Sequence, residues 1–127
     1  MPRILLIIGG AINVFFTLFH ILLGYNIYRL PDLPEHYRSL MTMLNAGGAT
    51  FILFMAIASL ALTQEMLTTR LGKLVMLFTA FLYGSRALEE IIVSPHFSTF
   101  IFTACMIVAV IYIIPLLSMK KIIAQTE

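Results

Sequence analysis

Three charged residues, Arg86, Glu89 and Glu90, lie close together in a stretch of sequence that is otherwise apolar enough to cross a membrane. A charged side chain at the centre of a bilayer costs about 2.5–3.5 kcal/mol on insertion scales, so it normally faces protein, water or another charge. Arg86 and Glu90 are four residues apart, the spacing of an ion pair on one helix face. Glu89 points about 100° away from Glu90 and is the weaker candidate for the same site. The cluster indicates either a site for a ligand or for proton transfer, or an internal ion pair that only fastens the helix.

Polar residues recur at helical spacing in two other apolar segments as well. Intervals of three and four residues place such residues on one face of a helix. With a rise of about 1.5 Å per residue, His20 would lie about 12 Å and Asn45 about 9 Å from the same end of their helices. Arg86 and Glu90 would lie about 10 Å and about 5 Å from that end. We call each such row of polar and small residues on one helix face a polar stripe. The three polar stripes are Asn13, Thr17, His20 and Gly24; Arg38, Thr42, Asn45 and Ala49; and Thr79, Tyr83, Arg86 and Glu90.

The matching depths predict a polar pocket that opens toward the outer side of the membrane. Its walls would be His20, Asn45, Arg86 and Glu90, with Arg38 near the mouth. Arg86 would hold an anionic or carbonyl-bearing group, and the surrounding apolar residues favour a small, lipid-soluble ligand that is bound or transported. The predicted ligand-binding residues are, in chain order, Thr17, His20, Arg38, Asn45, Tyr83, Arg86 and Glu90, with Thr17 and Tyr83 at the floor.

Two other classes of function stay open at this point. In an integral-membrane enzyme, such as an isomerase or oxidoreductase, His20 or Glu90 would act as general acid and base, because histidine changes charge near neutral pH. In a structural or assembly protein, the charges of Arg86 and Glu90 would only pair internally. No nucleophile motif or cofactor fingerprint occurs, so a cofactor stays unknown. His20, His36 and His96 lack the spacing of metal ligands, and no metal site is predicted.

The elements that position these residues follow from composition. The chain has 127 residues, of which 61% are hydrophobic and 11% charged, and its mean hydropathy is +1.00. Soluble domains are about 45–50% apolar and about 25% charged. Four stretches reach the roughly 20 apolar residues that a spanning helix needs. We therefore predict an all-α integral membrane protein, a four-transmembrane-helix bundle forming a single domain over residues 1–127, with spans at about 4–28, 39–63, 71–93 and 99–118.

Lys and Arg residues near the helix ends predict the orientation of the bundle. Five of them belong to the side with the termini and two to the other side, and the richer side is normally cytoplasmic. Both termini are therefore expected in the cytoplasm, with the protein in the plasma or inner membrane. The net charge of +2 gives no reason to expect nucleic acid as a partner. Besides the lipid bilayer, a second copy or a larger membrane complex stays open as a partner.

Residues between the spans predict where helices begin and end. Thr68 or Thr69 can cap the third span, because a threonine hydroxyl accepts hydrogen bonds from free backbone N–H groups. Ser94 followed by Pro95 is a start signal for the fourth span, since proline suits the first helical position. Pro115 is expected to kink or end that span, because it removes one backbone hydrogen bond.

Overall fold

The computed structural model of the protein describes residues 1–123, and all regular structure in that part of the chain is helical. Four helices there are long and apolar enough to cross a membrane. In a bilayer, backbone polar groups have to be satisfied within the segment itself, and a helix does this for an isolated apolar run. The predicted all-helical bundle with four helices of spanning length is thereby confirmed. The helices are α1 (Pro2–Tyr28), α2 (Glu35–Ala61), α3 (Thr63–Thr68), α4 (Arg70–Ile92) and α5 (Thr99–Ile123).

The turn between α2 and α4 contains a short helix that the sequence did not predict. Only Leu62 separates α2 from α3, and Thr69 separates α3 from α4. Thr69 caps α4, because its hydroxyl accepts a hydrogen bond from the Gly72 N–H at 2.9 Å. The predicted threonine cap is confirmed at Thr69. At its other end α2 begins at Glu35, four residues before the predicted start of the second span.

The start of α5 differs from the prediction based on Ser94 and Pro95. Those two residues lie in the connection after α4, where the Ser94 hydroxyl donates to the His96 carbonyl at 2.8 Å. The helix begins at Thr99, in agreement with the span predicted from about residue 99, and the Ser98 hydroxyl accepts from the Ile101 N–H at 3.4 Å. The helix also continues past Pro115 to Ile123. Pro115 therefore does not end the helix, because its missing N–H removes a single hydrogen bond from a ladder that continues on both sides.

The spanning helices are arranged as two hairpins. One pairs α1 with α2, the other pairs α4 with α5, and α1 also packs against α5. Two glycines of α1 allow these close contacts. A Cβ at Gly9 would lie 2.9 Å from Cε2 of Tyr112, and a Cβ at Gly10 would lie 2.7 Å from Cγ of Leu60. Small residues at such positions let helices approach closely in a membrane.

Large apolar side chains cover much of the outer surface of the bundle. Phe and Leu residues of all four long helices are exposed there, among them Leu22, Phe54, Phe81 and Leu117. Soluble monomers rarely expose such large contiguous apolar surfaces to water. In a bilayer the same surface would meet hydrocarbon. The fold is therefore compatible with a multi-pass integral membrane protein.

Candidate functional site

A buried hydrogen-bond network joins all four spanning helices. The Tyr83 hydroxyl of α4 donates to Oδ1 of Asn13 in α1, and Nδ2 of Asn13 donates to the Tyr112 hydroxyl of α5 at 2.7 Å. The same Tyr112 oxygen lies 2.6 Å from Oγ of Ser59 in α2. All four side chains are buried, where an unsatisfied polar group would be costly. The network therefore fixes the two hairpins relative to each other at this level.

Helical spacing in the sequence marks only half of this network. Asn13 and Tyr83 belong to predicted polar stripes, whereas Ser59 and Tyr112 do not. Ser59 lies about four helical turns after Asn45, so helical spacing would have added it to the stripe of α2. Tyr112 stands among apolar residues of α5, and no spacing signal marks it.

His20 of α1 and Asn45 of α2 form a pair joined by two hydrogen bonds. Nδ2 of Asn45 donates to the backbone carbonyl of His20 at 2.7 Å, and Oδ1 of Asn45 lies 2.9 Å from Nδ1 of the ring. Gly24 makes room for the amide, since a Cβ there would lie 2.8 Å from Nδ2 of Asn45. His20 and Asn45 have similar predicted depths, and the structure brings them together.

The amide of Asn45 also fixes which nitrogen of His20 carries a proton. A backbone carbonyl can only accept, so the NH₂ group of Asn45 faces it and Oδ1 faces the ring. Nδ1 of His20 must then be the donor, and Nε2 is the acceptor in the neutral ring. Nε2 makes no hydrogen bond within the described residues and is not enclosed by protein atoms. His20 thus presents a free acceptor to the space beside it.

Glu90 is buried and both of its oxygens are engaged. Oε1 accepts a hydrogen bond from the Ser98 N–H at 3.0 Å, just before α5 begins. Oε2 lies 3.1 Å from Nη2 of Arg86, and 4% of the Glu90 side chain is exposed. Helix N-termini favour negative charge, because their N–H groups lack partners within the helix. Glu90 therefore fastens the end of α4 to the start of α5.

A cavity of about 690 Å³ lies between the two hairpins, lined by residues of all four spanning helices. Ligand pockets typically measure about 300–1,000 Å³ and are mostly apolar with a few polar groups. The rings of Phe16 and Tyr83, with centroids 5.8 Å apart, belong to its lining. Charged and polar side chains on the walls are His20, Ser85, Arg86 and Glu89. The apolar lining includes Phe15, Phe16, Phe19, Leu44, Gly48, Phe51, Ile52, Leu82, Phe100, Ile101, Ala104 and Cys105.

The structure brings together some of the predicted site residues and separates others. His20, Tyr83 and Arg86 line this cavity, and Glu89, the acid that the sequence ranks lower, lines it too. Glu90 is turned toward the start of α5 instead. Helical geometry separates neighbouring residues by about 100°, and packing against α5 decides which of the two acids is buried.

Three further predicted residues lie outside the walls of the larger cavity. Thr17 and Asn45 line a smaller crevice of about 370 Å³ between α1 and α2, together with His20. The Thr17 hydroxyl donates to the Asn13 carbonyl at 2.8 Å. Arg38 lines neither cavity. Its Nη2 donates to the Leu33 carbonyl at 2.8 Å, so it holds the turn before α2.

Within residues 1–123, no three His, Cys, Asp or Glu side chains come together as a metal site would require. No protein-family model, curated protein or solved structure matches the chain.

Proposed function

We propose that this protein is a multi-pass membrane protein that binds or transports a small lipid-soluble molecule in the cavity between its two hairpins. The observation that carries the proposal is the composition of the cavity wall: aromatic and aliphatic side chains from four helices, with His20, Arg86 and Glu89 among its few polar groups. Such a wall suits an amphiphile, a molecule with an apolar body and one polar end.

The positions of the polar groups support this reading. Arg86 and Glu89 lie six and three residues before the end of α4 at Ile92, which corresponds to about 9 Å and about 4.5 Å along the axis. Phe16, Phe51 and Ile52 lie deeper in the bundle. An amphiphile would therefore place its polar end near the loops and its apolar body between the hairpins.

Gly48 offers a way to fill the cavity without disturbing the fold. A Cβ at Gly48 would meet only Cε1 of His20, at 3.9 Å, which is ordinary van der Waals contact. At the neighbouring Gly47 a Cβ would meet nothing within 4 Å, and Gly47 is absent from the cavity lining. Gly48→Leu and Gly47→Leu thus change helix propensity equally, but only the first occupies the cavity.

The test compares small molecules extracted from the purified wild-type protein and from these two variants by mass spectrometry. We expect a lipid-soluble compound that is retained by the wild type and by Gly47→Leu and is depleted at least several-fold in Gly48→Leu. Identical extracts from all three proteins would contradict binding in this cavity.

A second candidate function is an integral-membrane enzyme in which His20 is a general base. The observation that favours it is the fixed ring of His20, whose free Nε2 belongs to a residue on the cavity wall. A base must reach the proton that it removes, and a ring held by a second side chain meets this geometric requirement. Glu90 fits the role less well, since both of its oxygens are engaged. Loss of turnover in His20→Gln with retained ligand binding would favour the enzyme over the binding protein.

A structural or assembly function is the third candidate, and the Arg86–Glu90 pair is its support. For all three candidate functions, the excess of Lys and Arg at one end of the bundle favours cytoplasmic termini, in a plasma or inner membrane. A second copy or a larger membrane complex stays an open partner.

A further inference from the structure

The charged side chains at and directly beside the polar end of the cavity carry more negative than positive charge. Arg86 is shared between two carboxylates: its Nη2 lies 3.1 Å from Oε2 of Glu90, and its Nη1 lies 4.0 Å from Oε2 of Glu89. One guanidinium and two carboxylates sum to a formal charge of −1. An added anion at this end would meet that excess, whereas an added cation would neutralise it.

Glu89 is the carboxylate that remains available. Its side chain is 60% exposed and it lines the cavity. Its contact with Arg86 is at the outer limit of an ion pair, while Arg86 lies closer to the buried Glu90. A cation in the cavity could therefore approach Glu89 without breaking the pair that fastens α4 to α5.

The hydroxyl groups on the wall already donate to protein atoms. The Tyr83 hydroxyl donates to Asn13, and the Ser85 hydroxyl donates to the Leu82 carbonyl at 2.9 Å. His20 offers Nε2 as an acceptor, because Nδ1 donates to Asn45. Arg86 is the wall residue that keeps strong N–H donors, and its charge is already matched by Glu90. The wall therefore presents mostly acceptors to a ligand.

The aromatic rings around the cavity add a further preference. The faces of aromatic rings attract cations, by about 0.5–1 kcal/mol at exposed sites and more where water is excluded. The phenylalanines that line the cavity are Phe15, Phe16, Phe19, Phe51 and Phe100.

From this charge balance and this set of acceptors we infer that the ligand is an amphiphile whose polar end is a protonated amine, held by Glu89, with His20 as a further acceptor on the same wall and the apolar body between the phenylalanines. The inference rests on the proposed binding function and names its ligand class. It also replaces the sequence-based expectation of an anionic group at Arg86, because Arg86 already forms an ion pair with Glu90.

The test uses three probes with the same twelve-carbon chain: dodecylamine, dodecanol and dodecanoate. The full chain is placed in phosphatidylcholine nanodiscs, and the shift of the thermal unfolding midpoint is measured against probe concentration. We expect dodecylamine to stabilise the wild type at the lowest concentration. Glu89→Gln should weaken its binding roughly five-fold, the upper range for a partly exposed ion pair. Glu65→Gln, an exposed acid of α3 outside the cavity lining, should leave it unchanged.

The outcomes separate the inference from the function on which it rests. Tighter binding of dodecanoate than of dodecylamine would overturn the inference and return Arg86 to the role of anion binder. Equal binding of dodecanol and dodecylamine, with no effect of Glu89→Gln, would also overturn it while leaving the binding function intact. If Gly48→Leu responded to all three probes as the wild type does, the cavity would not be the binding site, and the proposed function would fail with the inference.

Discussion

His20 gains its chemistry from Asn45, a residue 25 positions later in the chain. The amide holds the backbone carbonyl of His20 and orients the ring through Nδ1. In the neutral ring this leaves Nε2 unprotonated, so a single side chain on a neighbouring helix decides whether the free ring nitrogen is a donor or an acceptor. Any role of His20, in binding an amine or as a base, depends on this pair.

We expect nitrogen NMR of histidine-labelled protein, at a pH where the ring is neutral, to show His20 with its proton on Nδ1. Asn45→Ala should shift the ring toward the Nε2–H form, because the acceptor that fixes Nδ1–H is removed. Thr42→Ala is the matched control, since Thr42 lines the same crevice but its hydroxyl donates to the Arg38 carbonyl. A wild-type ring protonated mainly at Nε2 would contradict the fixed tautomer.

The ion pair of Arg86 and Glu90 can be tested in the same way. Removing one partner of a buried ion pair leaves an uncompensated charge, which destabilises more than removing both. We expect Arg86→Ala to lower the unfolding midpoint clearly. The double variant Arg86→Ala/Glu90→Gln should be more stable than Arg86→Ala alone, because the glutamine can still accept from the Ser98 N–H and carries no charge. If the double variant lost as much stability as Arg86→Ala and Glu90→Gln lose together as single variants, the two residues would not be coupled.

At the scale of the elements, the hydrogen bonds among Asn13, Ser59, Tyr83 and Tyr112 hold four helices in one arrangement. Asn13 and Tyr112 each bond to two other residues across helix interfaces. A bilayer provides little hydrophobic drive between helices, so packing and interhelical hydrogen bonds carry more of the specificity. The same network lies beside the cavity, since Tyr83 belongs to both.

Tyr112→Phe keeps the aromatic ring but removes the hydroxyl that bonds to Nδ2 of Asn13 and to Oγ of Ser59. We expect a loss of about 1–2 kcal/mol in the free energy of unfolding, measured by reversible unfolding in mixed micelles. Tyr37→Phe, at an exposed position in the first turns of α2, is the control and should have little effect. Equal effects of the two substitutions would contradict a structural role of the network.

Element boundaries were predictable where a local interaction decides them. The cap at Thr69 follows from the sequence because the hydroxyl and the N–H that it accepts from are three residues apart. α5 begins at Thr99, where the predicted fourth span begins, but the start signal at Ser94 and Pro95 was misleading. Glu90 accepts from the Ser98 N–H, and this contact links two helices. Local propensity favours Ser94 and Pro95, and the tertiary contact with Glu90 fixes a later start.

At the scale of the whole molecule, the charges at the two ends of the bundle predict its orientation in the membrane. The end that contains α3, the start of α1 and the end of α5 carries the larger number of Lys and Arg residues, and such residues are normally retained on the cytoplasmic side. The loop between α1 and α2 should then face the outside.

Labelling of single cysteines in intact cells tests this orientation in a Cys105→Ala background. A membrane-impermeant maleimide should label the Asp32→Cys variant, which lies in the exposed loop between α1 and α2. The Gln64→Cys variant, exposed on α3, should react only after the membrane is opened. The reverse pattern would place the termini outside and invert the side on which the cavity lies.

The sequence by itself determined the four helices, their approximate ends and the polar face of each, because apolar length and helical periodicity are local properties. It also indicated His20, Tyr83 and Arg86, which the structure places around one cavity. Only the tertiary structure decided that Asn45 orients His20, that Glu89 rather than Glu90 faces the cavity, and that Ser59 and Tyr112 complete the buried network. Rotation of each helix about its axis depends on contacts with its neighbours, and periodicity within one segment does not contain that information.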